Sequence, residues 1–172
     1  MIDAGGGQID FVFRNSGPLA SSICDVYFDD GSLLGIADVI NGGPGVSFSQ
    51  GASPGDLSGG NAVDFNTTAG FNADSNQPVQ PMGVNPGEML TIRFDLINGQ
   101  NFADTIAAID LALANPGVDV VGGLRFGAHV QGLPDGESDS FVSGGLVIPL
   151  PTAGAMGLAG LALVAGRRRR SL

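Results

Sequence analysis

Leu90-Thr91-Ile92-Arg93-Phe94-Asp95-Leu96, within the longer run from Glu88 to Asn98, alternates apolar and polar residues without a break. Leu90, Ile92, Phe94 and Leu96 fall on one face, and Thr91, Arg93 and Asp95 on the other. A period of two is that of a strand with one side toward a core and one toward water. Asn98-Gly99 closes it with residues that tolerate the backbone of a turn. The neighbouring segments are read outward from this strand.

Upstream, Ile9-Asp10-Phe11-Val12-Phe13-Arg14 has apolar residues at its odd positions, and Asn15-Ser16-Gly17-Pro18 is a turn. Ile23 to Phe28 reads as the next strand, closed by Asp29-Asp30-Gly31, and Leu33 to Ile40 as another. Val46-Ser47-Phe48 is a short strand, Gln50 to Asn61 a loop, Ala62 to Phe65 a brief pairing segment, and Asn66 to Gly87 mostly irregular. Downstream, Phe102, Ile106, Ile109 and Leu113 are spaced four, three and four, one face of a helix over Phe102 to Ala114. Asp104 lies in its first turn and Asn115-Pro116-Gly117 stops it. Leu124 to Leu133 returns to period two, with Leu124, Phe126, Ala128 and Val130 on one face, and Phe141-Val142 reads as a last strand. Many short strands between turn signals predict a mostly β chain. The expected form is an antiparallel β-sandwich, jelly-roll or Ig-like, with one short helix. Leu90, Ile92, Phe94, Phe126 and Val130 are the expected core.

The 172 residues include 29 glycines and 10 prolines, which suits a turn-rich β domain. There is no lysine, and four of the seven basic residues are the run Arg167 to Arg170. All 17 acids precede that run and face three arginines, so the body carries −14. Such a body repels nucleic acid and anionic lipid and attracts divalent cations. Schiff-base chemistry is excluded without lysine. Cys24 is the single cysteine, so no internal disulfide and no multi-cysteine metal site can form. Its place in Ile23-Cys24-Asp25-Val26 marks it as a small buried hydrophobe. Met1-Ile2-Asp3-Ala4-Gly5-Gly6-Gly7 has neither the basic patch nor the apolar run of an export leader. Either a mature or truncated product or a start placed too far downstream is expected, the second because the sequence opens with Met and yet keeps the C-terminal tail.

The C-terminal segment has three parts. Val147-Ile148-Pro149-Leu150-Pro151-Thr152 comes first, then the apolar run Ala153 to Gly166, then Arg167, Arg168, Arg169 and Arg170. Val147 to Gly166 is 20 residues without a charge, about the length that crosses a bilayer. The arginines would remain on the cytoplasmic side and stop transfer. Residues 1–145 are therefore read as the β domain and 146–172 as a tail carrying a transmembrane helix. This tripartite layout resembles the PEP-CTERM sorting domain, which is recognised by exosortase, a membrane cysteine transpeptidase-like enzyme. Pro149, Leu150 and Pro151 stand where that family has Pro-Glu-Pro. The resemblance implies export, arrest in the membrane by the helix and arginines, and processing near the proline motif. It also implies a mature protein at the outer surface or in an exopolysaccharide matrix. Gly127-Ala128-His129-Val130-Gln131-Gly132 with Ser138-Asp139-Ser140-Phe141 resembles the end of a domain found before such tails. So does Gly45-Val46-Ser47-Phe48 with Gly51-Ala52-Ser53-Pro54. That domain has no assigned activity and implies no chemistry.

Few residues invite a catalytic reading. His129 is the only histidine, and alternation places it opposite Val130, with Arg125 and Gln131. A Ser-His-Asp arrangement needs a serine and an acid beside it. An ordinary strand-face histidine is expected, and no enzyme. Asp135, Glu137 and Asp139 alternate in a turn, a spacing that can gather oxygens round one calcium ion, although the EF-hand glycine and distal glutamate are missing. Asp29-Asp30-Gly31 is a second such place; solvated turn acids are the favoured reading of both. Two glutamates and no tryptophan count against sugar cleavage or stacking. The expected function is that of an exported, non-enzymatic envelope or matrix protein, with the exosortase-type enzyme as partner and exopolysaccharide as a second. A secreted polysaccharide- or calcium-binding module is the alternative. No other cofactor is expected.

Overall fold

Alternation makes strands, but which strands pair is decided by the faces they must cover. The computed structural model describes residues 1–30, 34–144 and 146–149. Its strands are β1 (Ile2–Gly5), β2 (Gln8–Arg14), β3 (Ser22–Asp29), β4 (Leu34–Asn41), β5 (Phe48–Gln50), β6 (Asn72–Ser75), β7 (Met89–Leu96), β8 (Arg125–Gln131), β9 (Asp139–Val142) and β10 (Leu146–Pro149). Two α-helices, α1 (Val79–Met82) and α2 (Phe102–Leu113), and 3-10 turns at Gly60–Val63 and Pro134–Gly136 complete the described elements. One sheet has the order β1-β2-β7-β4 and the other β10-β9-β8-β3-β6-β5. All named strand pairs are antiparallel. The chain is thus mostly β with two antiparallel sheets, consistent with a sandwich.

The predicted strand is β7, at the centre of its sheet, and Leu90, Ile92 and Phe94 are fully buried. They pack with Ile9 and Phe11 of β2 and with Val26, Phe28, Phe48 and Ala73 of the other sheet in one core. Phe28 binds the sheets together: its ring lies edge-to-face on Phe94 at 4.6 Å and on Phe11 at 5.1 Å between centroids. Burial of each such ring contributes about 1.5–3 kcal/mol, and each edge-to-face pair adds about 0.5–1.5 kcal/mol.

Several expectations are corrected. Phe126 and Val130 are half-buried, not buried. Phe126 touches the core edge-on through Phe11 and Phe13. Val130 lies near the end of β8 and lines an open groove with Arg14, Leu133 and Phe141. Helix α2 begins at Phe102, as expected, with Asn101 as cap. The Asn101 side chain accepts from the amides of Ala103 at 2.8 Å and Asp104 at 3.3 Å, and Asp104 accepts from the Asn101 amide at 2.8 Å. Its buried stripe, however, is Thr105, Ala108 and Ala112, flanked by Phe102 and Ile109, while Leu113 is 45% exposed. Small side chains win this face because the following chain comes close: the Leu124 amide donates to the Ala108 carbonyl at 3.0 Å. A second helix, the single turn α1, joins the expected one. Ala62 to Phe65 does not pair; the 3-10 turn stands there. β1, β6 and β10 were not expected as strands. β1 folds onto β2 through Gly5-Gly6-Gly7, all three with positive φ, which only glycine adopts at low cost.

Candidate functional site

The β3 strand is buried on both faces. Val26 and Phe28 enter the core between the sheets, whereas Asp25, Tyr27 and Asp29 project to the other side. The segment expected as loop, Gln50 to Asn61, continues into Phe65 and folds over that outer side. There Leu57 and Phe65 pack with Tyr27 and Val142 as a second, smaller apolar cluster. The acids of β3 are therefore removed from water and need partners.

Asp29 is paired with Arg125, itself only 4% exposed. The Arg125 guanidinium also donates to the carbonyls of Val63, at 2.8 Å, and Asp64, and lies over the Phe65 ring at 5.5 Å. Asp29 accepts the Asn66 amide at 3.1 Å. Arg125 thus fastens the 60–66 segment onto the sheet. This accounts for Asp29 as a structural anion, not a solvated turn acid.

Further along the same face, register sets four polar residues in a row across four strands. Asp74 of β6 pairs with Asp25, Asp25 with His129 of β8, and His129 with Ser140 of β9. His129 Nδ1 is 3.0 Å from the Asp25 carboxylate. Asp25 and Asp74 stand directly opposite each other across the β3–β6 ladder, so their two carboxyl groups are neighbours on this face. Asp74 is pushed up to about 6, chiefly by burial and then by the hydrogen bond to Asp25 and its charge; the Ser53 and Ser75 amides oppose the rise. Burial, followed by the charges of Asp25, Asp74 and Asp56, raises Tyr27 far above a phenol's usual value, and its hydroxyl donates to the Pro54 carbonyl at 3.2 Å. Burial also raises the Cys24 thiol, so Cys24 is the buried, unreactive sulfur expected of it.

His129 thus has the acid that nucleophilic catalysis requires and a serine across the ladder. The chemistry stops there. Ser140 Oγ and His129 Nε2 are both buried and make no hydrogen bond to each other or to any other described group. No path takes a proton from hydroxyl to imidazole, and Ser140 has no exposed surface for a substrate. The groove of about 320 Å³ lined by Arg14, Ile23, Val130, Leu133 and Phe141 opens elsewhere.

Of the residues singled out for calcium, Glu137 is exposed in the turn before β9 and Asp139 is half-buried on β9, opposite Val130. The side chain of Asp135 lies outside the described residues. Among the described residues no cluster of three or more histidines, cysteines or acids is placed to hold a metal ion. Pro149 ends β10; Leu150, Pro151 and Arg167 to Arg170 lie outside the described residues. Among the described residues no helix is long and apolar enough to cross a membrane. The partner of His129 cannot be read from the sequence because Asp25 is 104 residues away, and Asp74, opposite Asp25, sits on a strand that has no alternation of its own. The chain matches no protein-family model, and no curated protein and no solved structure is similar to it.

Proposed function

We propose that this chain is an exported cell-surface or extracellular-matrix protein, delivered through its C-terminal tail by an exosortase-type membrane enzyme. Its body is a jelly-roll or Ig-like sandwich with a structural or interaction role and no catalytic one. The observation that carries this reading is the tail: 20 uncharged residues from Val147 to Gly166, followed at once by four arginines. An uncharged run of that length can arrest in a bilayer, although its first three residues pair as β10 in the folded domain, and the arginines fix its direction. The place of the motif supports the reading as well. Pro149, the first residue of the motif, is the last residue of β10 and pairs with Asp139 at the margin of the six-stranded sheet, next to the segment that would be processed. The non-catalytic role is supported by His129, whose Nδ1 is held by Asp25 and whose Nε2 is buried.

Mass spectrometry of surface material from the native host tests the proposal. The expected main species ends upstream of Arg167, near Pro149–Pro151. An intact C-terminus with all four arginines as the main surface species overturns it.

A further inference from the structure

We propose that Asp25 and Asp74 form a proton-operated latch that fastens the β5–β6 edge and the loop above it to β3. The geometry is a direct cross-strand pair of carboxyl groups. Like charges directly opposite each other in a ladder push strands apart, and a shared proton turns that repulsion into a hydrogen bond. The attachment they guard is short. β6 meets β3 through Asp25–Asp74, Val26–Ala73 and Tyr27–Asn72, continued by one hydrogen bond from the Phe28 amide to the Phe71 carbonyl at 2.9 Å, and β5 is held to the sheet through three register pairs with β6. The carboxyl pair is the terminal one of the three, where a ladder opens first.

The loop is tied to the same strand. Asn72 accepts the Ala52 amide at 3.0 Å and donates to the Gly55 carbonyl at 2.8 Å. Loss of the proton therefore loosens the β6 edge and releases residues 51–57 from the outer face together. The groups facing the pair among the described residues are His129 from β8, Ser140 beyond it on β9, Tyr27 and Cys24 from β3, Ser49 from β5 and Asp56 from the loop. His129 is the basic group among them and bonds Asp25, the inner and more buried carboxylate. Asp74, on the outer and wetter side, is the member that exchanges its proton with solvent.

Hydrogen–deuterium exchange of the full 172-residue chain in detergent micelles, at pH 5.0 and 7.5 and with labelling times scaled for intrinsic exchange, reads the latch directly. Peptides covering 47–57 and 71–76 are expected to be about tenfold more protected at pH 5.0. That is the linkage when a proton bound near pH 6 when closed is bound only near pH 4 when open. Asp74→Asn can donate a hydrogen bond to Asp25 but cannot ionise, and is expected to show equal protection at both pH values. His129→Gln is expected to keep the tenfold difference. Equal protection of the wild-type edge at both pH values overturns the latch, as does an unchanged pH response in Asp74→Asn. Loss of the response in His129→Gln alone makes the histidine the sensor and overturns it too.

Discussion

Arg125 shows how much one side chain decides here. It is nearly fully buried, and its guanidinium serves Asp29, two carbonyls and an aromatic face together. Arg125→Met leaves the Asp29 carboxylate buried beside lost contacts, so a loss of about 3–5 kcal/mol is expected in urea unfolding followed by circular dichroism. Asp29→Asn in that background recovers part of the loss, since no buried charge is then left unpaired. Arg93 is the contrast. It makes a bidentate pair with Asp10 at 2.7 and 2.8 Å on the outer side of the smaller sheet, and that hydrogen bond holds Asp10 below its usual range. The two perturbed acids act in separate pH windows. The raised Asp74 favours folding fully below about pH 4, and this contribution disappears as pH rises through about 6. The lowered Asp10 contributes above its unfolded value, near 3.8, and is lost only as pH falls below that. Asp74→Asn is therefore expected to raise stability at pH 7.5 by about 1 kcal/mol, discounted for the partial exposure of Asp74, with little change at pH 4.

At the scale of single elements, legibility followed periodicity. β2 and β7 could be read because one face is core and the other is wet, so chemistry alternates with geometry. β6 could not. Asn72-Ala73-Asp74-Ser75 contains one small apolar residue, and its polar side chains are buried against the loop rather than hydrated. β8 is half legible: its alternation is right, but Phe126 and Val130 on the expected core face are only half-buried, and a second apolar layer lies over the side of Arg125 and His129. The site suffered most, because all its pairings are long-range. Helix α2 was placed correctly and rotated wrongly, since apolar size was read where close approach rules. Ala112→Leu is accordingly expected to cost about 1–3 kcal/mol by overpacking, although it adds apolar surface. Leu113→Gln on the exposed side should stay within about 0.5 kcal/mol. Thermal unfolding of the two variants side by side checks this, and a reversed order would mean that the helix presents the Leu113 face inward.

For the whole molecule, charge sets the response to solvent. The body carries −14 before the tail, and self-repulsion opposes the compact state. Raising sodium chloride from 20 to 500 mM at pH 7.5 is expected to raise the melting midpoint, because the Debye length falls from roughly 20 Å to below 5 Å. A flat response would place the acids too far apart to repel. The last described strand has a further consequence, for self-association. β10 lies at one margin of the six-stranded sheet, pairs with all of β9, and ends in a proline that has no amide hydrogen to offer another chain. A chain cut at residue 145 loses this border, and β9 becomes the new margin with Phe141 already 36% exposed. Four open backbone positions beside an aromatic side chain would then invite a neighbouring molecule to add itself as the missing strand. Trimmed there, the domain should form growing oligomers; trimmed after Pro149, it should remain monomeric.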